Sequence, residues 1–215
     1  AESWEMSNGG KTYTYALRDG LTWSDGTPLT AEDVAYTVNR ARDEEWQNYT
    51  STVANLTAKV IDPQTVEITS SVKDPKLPTM DVYILPKHVW EKQDKAAITK
   101  YEGTDGVGSG PFTLVEAKRG QFMRLQANDG YWGGRPAIDE VVFRLFTNRD
   151  AMVAALEKGE IDAAHDIPTE SFERLSTIEG IVAIQGEQGG FNEISVNGGR
   201  PENQRKTIQG LGFRR

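Results

Sequence analysis

Between Lys11 and Ala41 the side-chain pattern changes period, and that change fixes what this chain can build. Lys11 to Arg18 runs Thr, Tyr, Thr, Tyr, Ala, Leu, the alternation of a half-buried strand. Asn8-Gly9-Gly10 before it and Asp19-Gly20 after it are turn residues, and Trp4 to Met6 is placed to pair with it as a short hairpin arm. Ser24-Asp25-Gly26-Thr27-Pro28 is a second turn. Thr30 then caps a helix, with Asp33 at the N3 position of a capping box, and Val34, Val38 and Ala41 supply an apolar stripe at helical spacing. That helix is expected to end near Arg42 to Glu45.

The same signals continue along the chain. Val53–Ile61 and Thr65–Ser70 read as strands around Asp62-Pro63-Gln64, and Leu85–Trp90 opens a short helix with Pro86 in its first turn. Strands are expected at Phe112–Ala117, Phe122–Ala127 and Glu140–Phe146. A helix over Arg149–Lys158 is stopped by Gly159, with Met152, Val153 and Leu156 on its apolar face. Ile161–Ala164 reads as a strand, and Thr169–Leu175 as a helix opened by Pro168 and Thr169. Ile181–Ile184 and Phe191–Val196 read as closing strands. The succession predicts an α/β fold with a mixed sheet. Residues 94–110, rich in Gly and Asp, mark the expected domain crossing.

Composition narrows the function. The 215 residues contain no cysteine, which removes disulfides, thiolate metal sites and a Cys nucleophile together. A net charge of -8 argues against a nucleic-acid partner. No run is long and apolar enough to span a bilayer, and the first residues, Ala1-Glu2-Ser3-Trp4-Glu5, have neither a basic n-region nor an apolar h-region. Residues 198–215 carry five basic side chains against one acidic, a basic tail whose plainest reading is an element end cut out of context.

Two dense segments carry a resemblance. The first runs Leu17-Arg18-Asp19-Gly20-Leu21-Thr22-Trp23-Ser24-Asp25-Gly26-Thr27-Pro28-Leu29-Thr30-Ala31-Glu32-Asp33-Val34. The second is Gly108-Ser109-Gly110-Pro111-Phe112 followed by Asn128-Asp129-Gly130-Tyr131-Trp132-Gly133-Gly134-Arg135-Pro136-Ala137-Ile138-Asp139-Glu140. In that order they resemble the family 5 extracellular solute-binding proteins, receptors of bacterial ABC importers for peptides, nickel and related solutes. Ala1–Glu5, Ala155–Ala164 and Phe191–Asn197 extend the likeness over nearly all of residues 1–197.

The resemblance implies a periplasmic-binding-protein-like lobe with a smaller α+β accessory domain. It divides the chain into an accessory domain at 1–104, part of the first ligand-binding lobe at 105–197, and a tail at 198–215 leading toward a second lobe. Family members are more than twice this length, so the chain is expected to be a fragment carrying one wall of the cleft. A non-enzymatic receptor is implied, extracytoplasmic, without a cofactor, whose partners are a peptide or small-molecule solute and the permease subunits of an importer. The ligand-binding residues it implies are Gly189, Gly190, Phe191, Asn192 and Glu193. An extended strand edge there can pair with a peptide backbone, the ring of Phe191 can pack a side chain, and Glu193 either holds an ammonium or is structural.

Other constellations compete with this reading. Trp23-Ser24-Asp25-Gly26 is explained by a tight turn and a buried Trp. Gly106–Gly110 looks like a phosphate loop but is followed by Pro111 and a β-rich run, with no helix start. His88 has no second His at metal-ligand spacing, and His165, beside Asp166 and three residues from Asp162, reads as a surface His at a strand end. The acid pairs Glu44-Glu45, Asp139-Glu140 and Glu160/Asp162 read as solvated faces rather than a catalytic dyad. A ligand-sensing domain of a regulator on the same fold, and a hydrolase that borrowed it, remain as alternatives.

Overall fold

The computed structural model describes residues 1–75, 77–79, 81–100 and 106–186. The chain divides into two compact units, Ala1–Thr147 and Asn148–Arg215.

In the first unit, β1 (Ser3–Ser7) and β2 (Thr12–Ala16) form the expected hairpin, and α1 covers Ala31–Asp43. A single turn of helix, α2 (Thr50–Val53), takes Val53, with which the expected strand began, so β3 starts later and covers Leu56–Asp62. Then come β4 (Thr65–Ser70), a 3₁₀ turn at Leu77–Thr79, α3 (Lys87–Trp90) and α4 (Lys95–Lys100). The sheet has the order β1-β2-β4-β3, and every pairing in it is antiparallel.

Register sorts its two faces. Tyr13, Ile68 and Ala58 lie in one cross-strand row, and Tyr15, Val66 and Val60 in the next. Thr12, Thr69 and Thr57 fall in a row on the opposite face, as do Thr14, Glu67 and Lys59. A slip of one residue would send the aromatic and aliphatic set into water, so the register is strongly specified. Helix α1 covers the apolar face with Ala31, Ala35, Val38 and Ala41, all buried, while Val34 is only partly buried.

Polar groups of α1 also hold the structure. Thr30 and Asp33 form the capping box, with the Thr30 N–H donating to Asp33 Oδ2 at 2.8 Å. The other oxygen of Asp33 accepts from the Lys87 N–H at 2.8 Å, and buried Thr37 accepts from the Leu85 N–H at 2.9 Å. Asn39 exchanges two hydrogen bonds with the backbone of Ala58, 2.8 and 3.0 Å, and so satisfies part of the outer edge of β3. Arg40 pairs with Glu44 at 2.8 Å and donates to Tyr36 and to the carbonyls of Trp90 and Gln93.

Beyond Gly106 the first unit holds a three-stranded antiparallel sheet, β5 (Phe112–Lys118), β6 (Phe122–Ala127) and β7 (Glu140–Arg144), in that order. One face carries Leu114, Leu125 and Val141 in a row, with Met123 beside Phe143. The other carries Phe122 and Val142 together with an ion-pair network in which Arg124 bridges Glu116 at 3.2 Å and Glu140 at 3.0 Å. A bulge between Leu114 and Glu116 restores this sorting along β5.

The second unit contains α5 (Arg149–Glu157) and α6 (Thr169–Leu175). Asn148 caps α5 through the Ala151 N–H at 2.9 Å, and Gly159, at φ +69°, ends it as expected. Val153 and Ala155 are its buried residues, whereas Met152 and Leu156, placed on the same face by spacing, are half-buried. At α6 the N-cap is Pro168, and no side chain caps the helix. Ile161–Ala164 and Ile181–Ile184 are not strands. Val182 and Ile184 are 84% and 81% exposed, and among the described residues no strand edge pairs with them. The strand expected at Phe191–Val196 lies outside the described residues.

Candidate functional site

Gly189, Gly190, Phe191, Asn192 and Glu193 lie outside the described residues. The described residues include both signature segments and the stretch leading up to Gly186.

The signature segments meet each other. Ser24 donates its N–H to the Gly108 carbonyl at 2.8 Å, and the Gly108 N–H donates to Ser24 Oγ at 3.2 Å. The Arg18 guanidinium lies over the Trp132 ring, 4.6 Å from its centroid, a cation–π contact. Asn128, buried, donates to the Gly110 carbonyl at 2.9 Å and accepts from the Gly130 N–H at 3.0 Å. Arg135 binds Asp129 at 2.7 Å and Asp139. Ser24 with Gly108 and Arg18 with Trp132 therefore fasten the two segments together, while Asn128 and Arg135 brace the second from within.

Trp23 is 2% exposed, and its indole N–H is buried without a hydrogen-bond partner. The turn after it closes through the Trp23 N–H to the Thr27 carbonyl at 2.8 Å and the Thr27 N–H to Asp25 Oδ1 at 3.0 Å. Gly26 sits at φ +83°, where a side chain costs about 1–2 kcal/mol. Gly108 and Gly110 differ from Gly26: neither has positive φ, and a Cβ on Gly108 would meet nothing within 4 Å. Gly26→Ala should accordingly lower the urea midpoint while Gly108→Ala leaves it within error. Equal losses would show that backbone conformation is not what selects glycine here.

His88 Nε2 lies 2.8 Å from Asp25 Oδ2 and ties α3 to the same turn, while Lys87 pairs with Glu32 at the start of α1. Burial pushes the Asp25 carboxyl up, but the Thr27 N–H and His88 outweigh it and hold the group below its ordinary value. Lys87 lowers Glu32 in the same way. Burial also raises Glu44, and the Trp46 indole and Arg40 overcome it. A carboxyl depressed in the folded state contributes stability above its unfolded value, and that stability is lost as pH falls through the folded value. The melting temperature of the chain should therefore drop below pH ~4, the range in which unfolded carboxyls titrate. Asp25→Asn should flatten part of that acid limb. An unaltered limb would remove Asp25 from the account.

The acid pairs resolve into ion pairs and solvated groups. Glu44 is held by Arg40, Glu140 by Arg124 and Asp139 by Arg135. Among the described residues no group of three or more His, Cys, Asp or Glu side chains is arranged to hold a metal ion. No described helix is long and apolar enough to cross a membrane.

In the second unit, the loop before α6, the helix itself and residues 181–186 surround a groove of about 650 Å³. His165 and Asp166 stand at its edge in a loop, where a strand end was expected, with Nδ1 of the imidazole 3.2 Å from Asp166 Oδ2. Asp166 holds φ +56°, a left-handed conformation that Asp tolerates better than most residues. Arg174, on the same helix, is engaged by Glu157. No local period announces this groove. Its nearest sequence signal is Pro168, which separates the loop from α6.

Comparison with known proteins gives these features a family. The model described as "Bacterial extracellular solute-binding proteins, family 5 Middle" matches residues 1–209. The nickel-binding periplasmic protein of Escherichia coli strain K12 is 29% identical over 183 residues, covering 82% of this chain and 35% of that protein. The oligopeptide-binding protein AppA of Bacillus subtilis, solved in complex with a nonapeptide, is 31% identical with a TM-score of 0.67, covering 74% of this chain and 33% of that one. The ABC transporter substrate-binding protein CtaP of Listeria monocytogenes is 35% identical with a TM-score of 0.67, covering 74% and 34%. The chain spans between 30% and 38% of the length of the curated relatives it matches. The α/β, periplasmic-binding-protein-like fold expected from the signature segments is thus shared with solved relatives, and the chain belongs to the bacterial extracellular solute-binding proteins, family 5.

Proposed function

We propose that this chain is the solute-capturing part of a bacterial ABC importer receptor, acting outside the cytoplasm on peptides or peptide-like solutes and delivering them to membrane permease subunits. The observation that carries the reading is the family match over residues 1–209, joined by relatives named for oligopeptide and nickel binding. The role is capture without chemistry: Glu44, Asp139 and Glu140 are engaged in structural ion pairs, which suits a scaffold. Residues 1–104 serve as the accessory domain and 105–197 as part of the solute-facing lobe, with 198–215 leading out of it. Gly189, Gly190, Phe191, Asn192 and Glu193 form the strand edge that meets the solute. Capture then proceeds by closure of two lobes around the solute, as in binding proteins that bend at a hinge.

Native mass spectrometry of the full-length gene product tests this. Extra mass that disappears on denaturation, and that a peptide mixture replenishes, is the expected result. Turnover of the peptides, or no bound mass from a panel of peptides, opines and nickel chelates, would sink the proposal.

A further inference from the structure

We infer that the apolar face of the β5–β6–β7 sheet is a docking surface for another part of the receptor's own polypeptide, outside residues 1–215. The inference concerns assembly and holds whichever solute the receptor takes.

Register builds the face. Leu114, Leu125 and Val141 make one cross-strand row, and Met123 stands beside Phe143 in the next. Leu145, two residues beyond Phe143, continues the same face, its N–H donating to the Gln121 carbonyl at 2.8 Å. The first row is half-buried, but Met123, Phe143 and Leu145 are 44%, 56% and 54% exposed. No charged side chain interrupts these rows, whereas the opposite face carries Arg124 with Glu116 and Glu140. Charge marks that opposite face as the one that meets water.

The four-stranded sheet supplies the contrast. There α1 covers the apolar face and leaves Val38, Val66 and Ile68 buried. Within the first unit no described helix is laid on β5, β6 or β7 in that way. A three-stranded sheet needs its apolar face packed to be stable on its own, and folded monomers rarely leave a contiguous apolar patch beyond a few hundred Å² in water.

The occupant follows from length. The chain spans between 30% and 38% of the curated relatives it matches, so most of such a polypeptide lies outside it and is tethered to it. A tethered segment reaches an effective concentration on the order of a millimolar, which a free second copy does not. The segment that fits presents aliphatic or aromatic side chains and no charge, since a charged group against these rows would lose its water without gaining a partner.

Photocrosslinking in the full-length gene product tests this, with Phe143→p-benzoylphenylalanine as the probe and Val142→p-benzoylphenylalanine, on the opposite face, as the control. Irradiation should join position 143 to residues of the same molecule outside 1–215, mapped by peptide mass spectrometry, while position 142 gives little product. Crosslinks only to residues within 1–215, a covalent dimer, or equal yields from the two positions would overturn the inference. In the unaltered full-length protein, peroxide should oxidise Met123 about tenfold more slowly than after unfolding in urea. A rate close to the unfolded one, or protection that appears only at high protein concentration, would overturn it even if the probe-bearing variants fold poorly. Solute capture is read separately from the mass measurement, so either result can fail without the other.

Discussion

Asp33→Ala is expected to destabilise the first unit by about 2–4 kcal/mol, far more than its place on a helix first turn would suggest. Asp33 is 5% exposed, and its two oxygens are committed in different directions. Oδ2 accepts the Thr30 N–H and closes the capping box; Oδ1 accepts the Lys87 N–H, 54 residues away. Losing the cap alone costs about 1 kcal/mol, and a hydrogen bond to a charged acceptor adds about 1.5–3. Alanine also leaves both N–H groups short of a partner in a partly buried place. Asp33→Asn keeps one acceptor oxygen and should recover a good part of the loss. Glu32→Ala, next in sequence but exposed, should stay within about 0.5 kcal/mol. Urea unfolding followed by tryptophan fluorescence distinguishes these cases. If Asp33→Ala and Glu32→Ala shift the midpoint equally, the bridge from α1 to α3 carries no stability.

That example also shows what the sequence makes legible. Thr30-x-x-Asp33 announces its capping box locally, and the Thr-Tyr-Thr-Tyr alternation announces β2, because both depend on neighbours within one turn or one strand. The hydrogen bond from Lys87 to Asp33, the pair of hydrogen bonds between Asn39 and Ala58 and the grip of Arg40 on Trp90 have no period, since they join residues 54, 19 and 50 apart. The strand patterns of Ile161–Ala164 and Ile181–Ile184 misled for the related reason that alternation specifies a face without supplying a partner edge. At the signature segments the reading succeeded further. A tight turn with a buried Trp23 is what the structure contains, and the residues conferring family likeness are spent on local turns and on joining Ser24 to Gly108 and Arg18 to Trp132. A motif that recognises the family therefore tells little about the solute. The groove beside α6 stayed hidden because loop, helix and extended segment contribute one or two residues each.

Ile68→Ala should cost about 3–4 kcal/mol, a loss comparable with that of Asp33 but with a different origin. Ile68 is 1% exposed in the middle strand pair, between Tyr13 on β2 and Ala58 on β3. It belongs to the same buried cluster as Val38 and Ala41 of α1. Alanine removes three carbons from a region where the sheet is fixed on both sides by its ladder, so the backbone has little freedom to close the void. Ile68→Val removes one methyl group and should cost about 1 kcal/mol. Ile61→Ala provides the control: the residue is on the same sheet but 51% exposed, and its truncation should cost well under 1 kcal/mol. The order Ala at 68, Val at 68, Ala at 61 in urea midpoint, at constant m-value, is the expected result. A loss at Ile68 no larger than that at Ile61 would mean that α1 does not clamp the sheet and that the four-stranded layer is held by its ladder alone.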